Sequence, residues 1–227
     1  MHAKFQCESR SGLWITLASM ALISILGSTG AARAATCDDQ KGSVIFEDTF
    51  ADDSGGWESD SALKLGGGAL TMHLDPKYDD FSELNGTFNA SDADYCMEVV
   101  VPKSVADDNP VTVGLLFWAA DYNNFFLVQI QSDGHEQLYR RTAGTWAMIA
   151  DLTNPSVKLD PGSVAAIRVQ AAGNLIAPTV NGVDLKKVRA QMPSGPLKFG
   201  VHIETFKDNP APGISVSVKR FRVTDGK

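Results

Sequence analysis

The sequence predicts an all-β chain, a jelly-roll β-sandwich of two antiparallel sheets, and three observations carry that expectation. Apolar residues recur at every second position through roughly a dozen short runs. Turn signals separate these runs, among them Gly66-Gly67-Gly68, Asp133-Gly134, Gly173-Asn174 and Asn181-Gly182. No long apolar periodicity of 3.6 residues appears after residue 34.

The first 34 residues read as a secretory signal peptide. Lys4 and Arg10 precede an apolar stretch from Leu13 to Leu26, and small residues lead to Ala32-Arg33-Ala34, an A-x-A cleavage site. The apolar stretch is short for the ~20 residues of a membrane span. Cleavage is expected after Ala34, giving a periplasmic or secreted protein with no membrane span. What remains, residues 35–227, has the size of one large β domain. Residues 1–34 carry a net charge of +2, so the whole-chain value of −7 leaves −9 for the rest. An acidic chain without a Lys/Arg cluster excludes nucleic acid as the expected partner.

The elements follow in order. Val44–Phe50 alternates as a first strand, and Asp52–Asp60 is a Gly/Ser/Asp loop carrying Trp57. Ala62–Leu65 and Ala69–Leu74 flank the glycine hairpin. Ser82–Phe88 and the β-branched Tyr95–Val101 come next. The stretch Val111–Trp146 holds two apolar runs, a polar corner at Asp121–Asn124, the Asp133-Gly134 turn and a third strand, in meander order. Its second strand puts Phe126, Val128 and Ile130 on a core face. Phe125, Leu127, Gln129 and Gln131 lie on the other, grading from apolar to amide as a partly open face would. Trp146–Leu152, Val164–Ala171 and Leu175–Val180 are further strands, and Asp184–Gln191 is expected to form a short helical turn. Leu197, Phe199, Val201 and Ile203 oppose Lys198, Gly200, His202 and Glu204 on the next strand. In the last strand, Ile214, Val216 and Val218 are in phase, and Phe221 and Val223 are one step out. A one-residue bulge near Lys219–Arg220 would restore the phase.

Cys7 leaves with the signal, so Cys37 and Cys96 remain as an even pair in an exported chain and are expected to form a disulfide. Such a loop closure stabilises by about 4 kcal/mol on the chain-entropy account.

A group of motifs carries a family likeness: Phe46-Glu47-Asp48-Thr49-Phe50, Gly56-Trp57, Gly114-Leu115-Leu116-Phe117-Trp118, Asp121, Asn123-Asn124-Phe125, Asp133-Gly134, Arg140, Gly144-Thr145-Trp146, Asn181-Gly182 and Phe221-Arg222-Val223. In these the chain resembles the concanavalin A-like lectin/glucanase jelly rolls, nearest to exported bacterial 3-keto-disaccharide hydrolase-like and laminin-G-like domains. The resemblance spans nearly all of residues 35–227. It implies a sandwich fold and a glycan-related role, among glycosidases, sugar-binding modules and proteins without known activity.

Catalytic signatures fail one by one. The glucanase branch of the resemblance implies an E-x-D-x-E strand, which sets three carboxylates on one face. Here Glu58-x-Asp60 continues to Ala62, and Asp92-x-Asp94 continues to Cys96. No G-x-S-x-G occurs, His135-Glu136 is followed by Tyr139 where a second His is needed, and Gly66-Gly67-Gly68 lacks a following Lys-Ser/Thr. His73, His135 and His202 have no ligand spacing.

The sequence therefore favours a non-catalytic carbohydrate-binding protein whose partner is a saccharide or cell-envelope glycan. Sugars need flat aromatic rings for their apolar faces and planar polar groups for their hydroxyls. The candidate ligand-binding set is Trp118, Phe125, Gln129, Arg140, Trp146, His202 and Glu204. The alternatives are a hydrolase of the 3-keto-disaccharide type and an envelope protein-interaction module. Glu47 or Asp48 on the first strand with Asp225 after the last, and Asp121 with Asn123, are the oxygen donors that would suit Ca²⁺.

Overall fold

The computed structural model describes residues 35–226 apart from 88, 90, 107 and 207–210. The expected signal peptide lies outside the described residues. A short 3₁₀ turn, Cys37–Asp39, precedes the strands. In chain order these are β1 Val44–Asp48, β2 Leu63–Leu65, β3 Leu70–Leu74, β4 Asp80–Asn85, β5 Ala93–Val100, β6 Val111–Asp121, β7 Asn124–Gln131 and β8 Glu136–Thr142. There follow β9 Thr145–Asp151, β10 Val164–Ala172, β11 Leu175–Val180, β12 Val183–Asp184, β13 Val188–Arg189, β14 Lys198–Thr205 and β15 Ile214–Thr224.

One antiparallel sheet runs β12-β11-β10-β5-β15-β3-β2, with β1 also paired to β15 and β13 to β11. The other runs β4-β14-β6-β7-β8-β9. The expected meander β6-β7-β8 is present, and β9 extends it. Its first corner is a side-chain-closed turn: Asp121 Oδ1 accepts from Asn123 N–H at 2.7 Å and from Asn124 Nδ2 at 2.9 Å. The corner's residue types thus set the register of both strands.

The core lies between the sheets. Tyr95, Met97 and Val99 of β5, Ile167 and Val169 of β10, and Phe221 and Val223 of β15 face Val113, Leu115, Phe126, Val128, Val201 and Ile203. Each is essentially inaccessible, and burying a side chain of this kind stabilises by about 1.5–3 kcal/mol. The bulge expected near Lys219–Arg220 is there, as a register shift between Val218 and Arg220 against β5. It returns Phe221 and Val223 to the core side.

The motif at Phe46–Phe50 and Trp57 is an aromatic plug. Trp57 lies 5.7 Å from Phe221 and 6.0 Å from Phe199, and Phe46 lies 4.9 Å from Phe199, ring centre to ring centre. These contacts join β1 and β15 of one sheet to β14 of the other. Asp48 closes the strand end by accepting from Phe50 N–H at 2.6 Å. A Cβ at Gly55 would fall 1.7 Å from Asp48 Oδ2, so the loop passes this carboxylate only as glycine.

The outward side of the nine-stranded sheet carries the N-terminal segment. Cys37 and Cys96 form the expected disulfide, with Cα atoms 5.5 Å apart. Cys37 N–H donates to Glu98 Oε1 at 2.8 Å, and Gln40 Nε2 donates to the Asp94 carbonyl at 2.5 Å. Arg220 pairs with Asp38 and Glu47, and Arg168 grips the wholly buried Asp94 with Nε at 2.8 Å.

Two expectations are corrected. Residues 184–191 form no helical turn; β12 and β13 pair with β11 there, because the strand edge satisfies their backbone groups. Asp48 and Asp225 do not meet. Asp48 pairs with Phe221, whereas Asp225 lies beyond the Val44 end of β1 and accepts from Ser43 N–H at 3.0 Å. Four strand residues, roughly 13 Å, separate the two ends.

Candidate functional site

Strand register arranges the outward face of the six-stranded sheet as rows running across the strands. One row is Ser82, His202, Gly114, Gln129 and Gln137, from β4 to β8. On one side of it lies a second polar row, Asp80, Glu204, Thr112 and Gln131. On the other side lies an apolar row, Leu84, Gly200, Leu116, Leu127, Tyr139 and Met148. Phe125, Arg141 and Trp146 form a row beyond that. The grading expected along β7 therefore extends over the whole sheet.

The face is concave. Trp146 stands on β9 and His202 on β14, four strands apart, which is about 19 Å in a flat sheet. Their rings are nevertheless 5.7 Å apart. The sheet curls until Trp146 reaches across it, meeting Phe125 at 5.2 Å and Tyr139 at 6.1 Å on the way. Arg141 lies 5.2 Å from the Trp146 ring and donates from Nε to the Gly144 carbonyl at 3.3 Å. The floor keeps two glycines: a Cβ at Gly114 would meet Leu127 Cδ1 at 2.2 Å, and one at Gly200 would meet the Glu83 carbonyl at 2.1 Å.

Three buried polar atoms on this floor make no hydrogen bond to a described residue: His202 Nε2, Gln129 Oε1 and Thr112 Oγ1. The groups around them are held in place. His202 Nδ1 is 2.8 Å from Ser82 Oγ. Gln129 and Gln131 both donate to Gln137 Oε1, at 3.0 and 2.6 Å. Glu204, part-exposed, places Oε2 3.8 Å from His202 Nε2. An orphaned buried polar atom costs about 1–3 kcal/mol, and three of them lie on this face with the accessible ring of Trp146. Burial raises the Tyr139 hydroxyl above its ordinary range, with the Glu204 carboxylate adding to it, so this phenol stays protonated as a donor.

The predicted set divides. Gln129, Trp146, His202 and Glu204 come together on this face, and Trp146 is 37% exposed. Phe125 is on the face but fully buried beneath Trp146 and Arg141, so it supports the platform rather than forming it. Trp118 is a correction: its backbone takes φ 47° within the irregular stretch from Phe117 to Asp121, and this swings the ring into the inter-sheet core. There it lies against Phe126 at 5.7 Å and donates to the Ser91 carbonyl. Arg140 is another correction. It pairs with Phe126, on the side of Leu138, and its guanidinium lies 5.3 Å from that ring. Arg141 occupies the place expected for it. Residues absent from the predicted set, Gln137, Tyr139 and Arg141, alternate with Leu138, and that alternation was the signal for them.

For calcium the described residues offer little. Asp121 accepts within its own turn and Asp225 accepts from Ser43 N–H. Asp48 accepts from Phe50 N–H through Oδ1 and leaves Oδ2 without a partner among the described residues. No group of three His, Cys, Asp or Glu that could hold a metal ion occurs among the described residues. No helix among them is long and apolar enough to cross a membrane.

No family model matches this sequence, and no curated protein matches it. Solved structures do. A carbohydrate-binding module, CBM66, from Bacillus subtilis superposes with TM-score 0.52 at 14% identity, covering 80% of this chain and 98% of its own. A Bacillus licheniformis β-glucanase gives 0.57 at 13% identity, over 82% and 99%. A Bacillus subtilis protein of unknown function with a galectin-like fold gives 0.59 at 12% identity, over 82% and 97%. Likeness at this level of identity is a likeness of architecture, and the fold is a jelly-roll β-sandwich of two antiparallel sheets.

Proposed function

We propose that the protein binds a glycan on the concave face of its six-stranded sheet without cleaving it. The observation that carries this is the juxtaposition of orphaned polar atoms on His202, Gln129 and Thr112 with the accessible ring of Trp146. A sugar presents the complementary surface: C–H groups for the ring and hydroxyls that both donate and accept for the amide, imidazole and carboxylate. Neighbours of the same fold include one named as a carbohydrate-binding module and one named as a glucanase, which supports a saccharide as partner. The disulfide suits an oxidising compartment and supports export.

A second reading has an observation of its own. Asp80 and Glu204 stand directly opposite on the face, which sets their Cβ atoms about 5 Å apart. Two carboxylates side by side on one face are the pair of groups that glycoside hydrolysis uses.

A glycan array probed with the folded protein tests both. Saturable binding to one glycan class supports the proposal, and Trp146→Ala should weaken it at least tenfold at a stability cost of about 1–2 kcal/mol. Trp118→Ala, the core control, should cost about 3–5 kcal/mol. Release of new reducing ends from the bound glycan, lost in Glu204→Gln, would replace binding by hydrolysis. A blank array from folded protein would overturn the glycan reading and favour a protein partner.

A further inference from the structure

We infer that His202 and Glu204 jointly hold one hydroxyl group of an uncharged sugar, and that acidification releases it; this rests on the glycan-binding reading above. The His202 ring is fully buried and fixed at both faces of the problem: Ser82 Oγ lies 2.8 Å from Nδ1, and the Trp146 ring lies 5.7 Å from the imidazole. Nε2 has no hydrogen-bond partner among the described residues. Glu204 Oε2 stands 3.8 Å from it, beyond hydrogen-bond range. Nε2 is closed to solvent as it stands, so a hydroxyl oxygen reaches about 2.8–3.0 Å from both atoms only when the part-exposed Glu204 side chain swings outward.

The chemistry of the occupant follows from the two ends. When Ser82 O–H donates to Nδ1, the neutral ring carries its proton on Nε2 and offers a donor. Glu204 offers an acceptor. A group between them must accept on one side and donate on the other, which is what a hydroxyl does. A carboxylate would accept from Nε2 but face Glu204 with like charge. An ammonium group would suit Glu204 but meet the N–H donor. Trp146 beside the imidazole supplies the flat apolar surface against which the ring carrying that hydroxyl would stack.

The dependence on pH follows from the groups around the ring. These are Ser82 from β4, Gly114 from β6, which has no side chain, Glu204 from β14, and Trp146 from β9 with Arg141 packed on it. Glu204 is the carboxylate within 4 Å of the imidazole among the described residues. Protonation makes His202 a cation next to that carboxylate. The 3.8 Å gap then closes into an ion pair, and both hydroxyl partners are consumed by each other. Affinity should therefore fall with acidification.

The test uses the full-length protein and neutral β-glucan, galactan and xylan oligosaccharides beside an oligogalacturonate, titrated by calorimetry from pH 8 to pH 5. One neutral oligosaccharide should bind in preference to the oligogalacturonate, with affinity falling about tenfold or more toward pH 5, the size of one lost hydrogen-bonded contact. His202→Gln and Glu204→Gln should each lose about tenfold at pH 8 and flatten the profile. Glu204→Gln, at a part-exposed position, keeps the test alive if the buried His202 variant fails to fold. Nitrogen NMR of the free protein should show the His202 proton on Nε2 at pH 8. A pH-independent affinity that both variants leave unchanged, equal binding of oligogalacturonate, or a proton on Nδ1 would overturn this inference while leaving glycan binding intact. No binding by any of these sugars would overturn the glycan reading, and this inference with it.

Discussion

Asp94 and His202 occupy matching places, each fully buried on the outward side of its own sheet. The chain treats them in opposite ways. Asp94 takes Arg168 Nε at 2.8 and 3.0 Å, the Arg168 Nη2 group, and amide donors from Gln40 at 3.2 Å and Gln170 at 3.4 Å. Both amides and the guanidinium converge on this one residue, with Gln40 also donating to its main-chain carbonyl. His202 keeps one nitrogen unbonded to any described residue, beside a ring that is one-third exposed. The nine-stranded sheet's face is closed by the segment at residues 37–41, through the disulfide and the pairs of Arg220 and Arg222 with Asp38. It has orphans too, Gln40 Oε1 and Arg222 Nε. Yet its outward residues on the central strands, Asp94, Cys96, Glu98, Arg168, Gln170, Arg222 and Thr224, include no aromatic ring. Orphaned polar atoms alone do not make a site; a polar row next to an accessible platform does.

The largest effects should fall on the closed face and leave the open one alone. Replacing Cys37 and Cys96 by Ala removes the tie on the N-terminal segment and should cost about 4 kcal/mol in chemical denaturation. Asp94→Ala should cost about 3 kcal/mol, the low end for breaking a buried ion pair, because part of Arg168 reaches water. Glycan affinity should not change in either variant while the protein stays folded. A loss of affinity in both, measured below the unfolding transition, would show that the two faces are coupled and that the contrast between them is wrong.

A smaller effect separates two buried acids. Asp94 has its guanidinium, whereas Glu136 accepts from Asn154 N–H at 3.0 Å through Oε2 and leaves Oε1 without a partner among the described residues. Burial therefore pushes the Glu136 carboxyl above its ordinary value of 4.5, with Asp151 adding to the rise and the Asn154 bond and His135 opposing it. The sign follows. A raised pKa means the folded state holds the proton more tightly. The stability it contributes is full below the unfolded pKa and is lost as pH rises through the folded one. Melting temperature should decline from about pH 4.5 upward for this reason, and Glu136→Gln should remove that part of the slope. An unchanged slope would mean that Glu136 is paired in solution.

Much of the fold was legible, because alternation and turn chemistry are local. The bulge in β15 could be read from Val218 and Phe221 falling on opposite phases, and Gln129, His202 and Glu204 could be placed outward by the same counting. Trp118 could not, since φ 47° at this residue and the register shift beside it flip the phase of β6, so that Trp118 turns inward and Ala119 outward. Arg140 was a miscount that Leu138 could have prevented: inward at 138 means inward at 140. That Trp146 reaches His202 was out of reach, because it follows from the curl of four strands. Likewise Asp48 and Asp225 are both close to the joined termini, yet antiparallel pairing sends them to opposite ends of β1.

The smallest expected stability change tests the open face most directly. Gln129 is almost fully buried, with Nε2 donating to Gln137 Oε1 and its own Oε1 unbonded to any described residue. Gln129→Leu trades one hydrogen bond for relief from one buried orphan. Gln137 Oε1 keeps its 2.6 Å bond from Gln131, so no new orphan appears. These terms are of similar size and opposite sign, so stability should stay within about 1 kcal/mol of wild type. If the orphan exists to meet a sugar hydroxyl, affinity should still fall several-fold, because the bound hydroxyl would lose its acceptor. A variant that is clearly less stable, with affinity intact, would assign Gln129 to the scaffold and narrow the site to Trp146, His202 and Glu204.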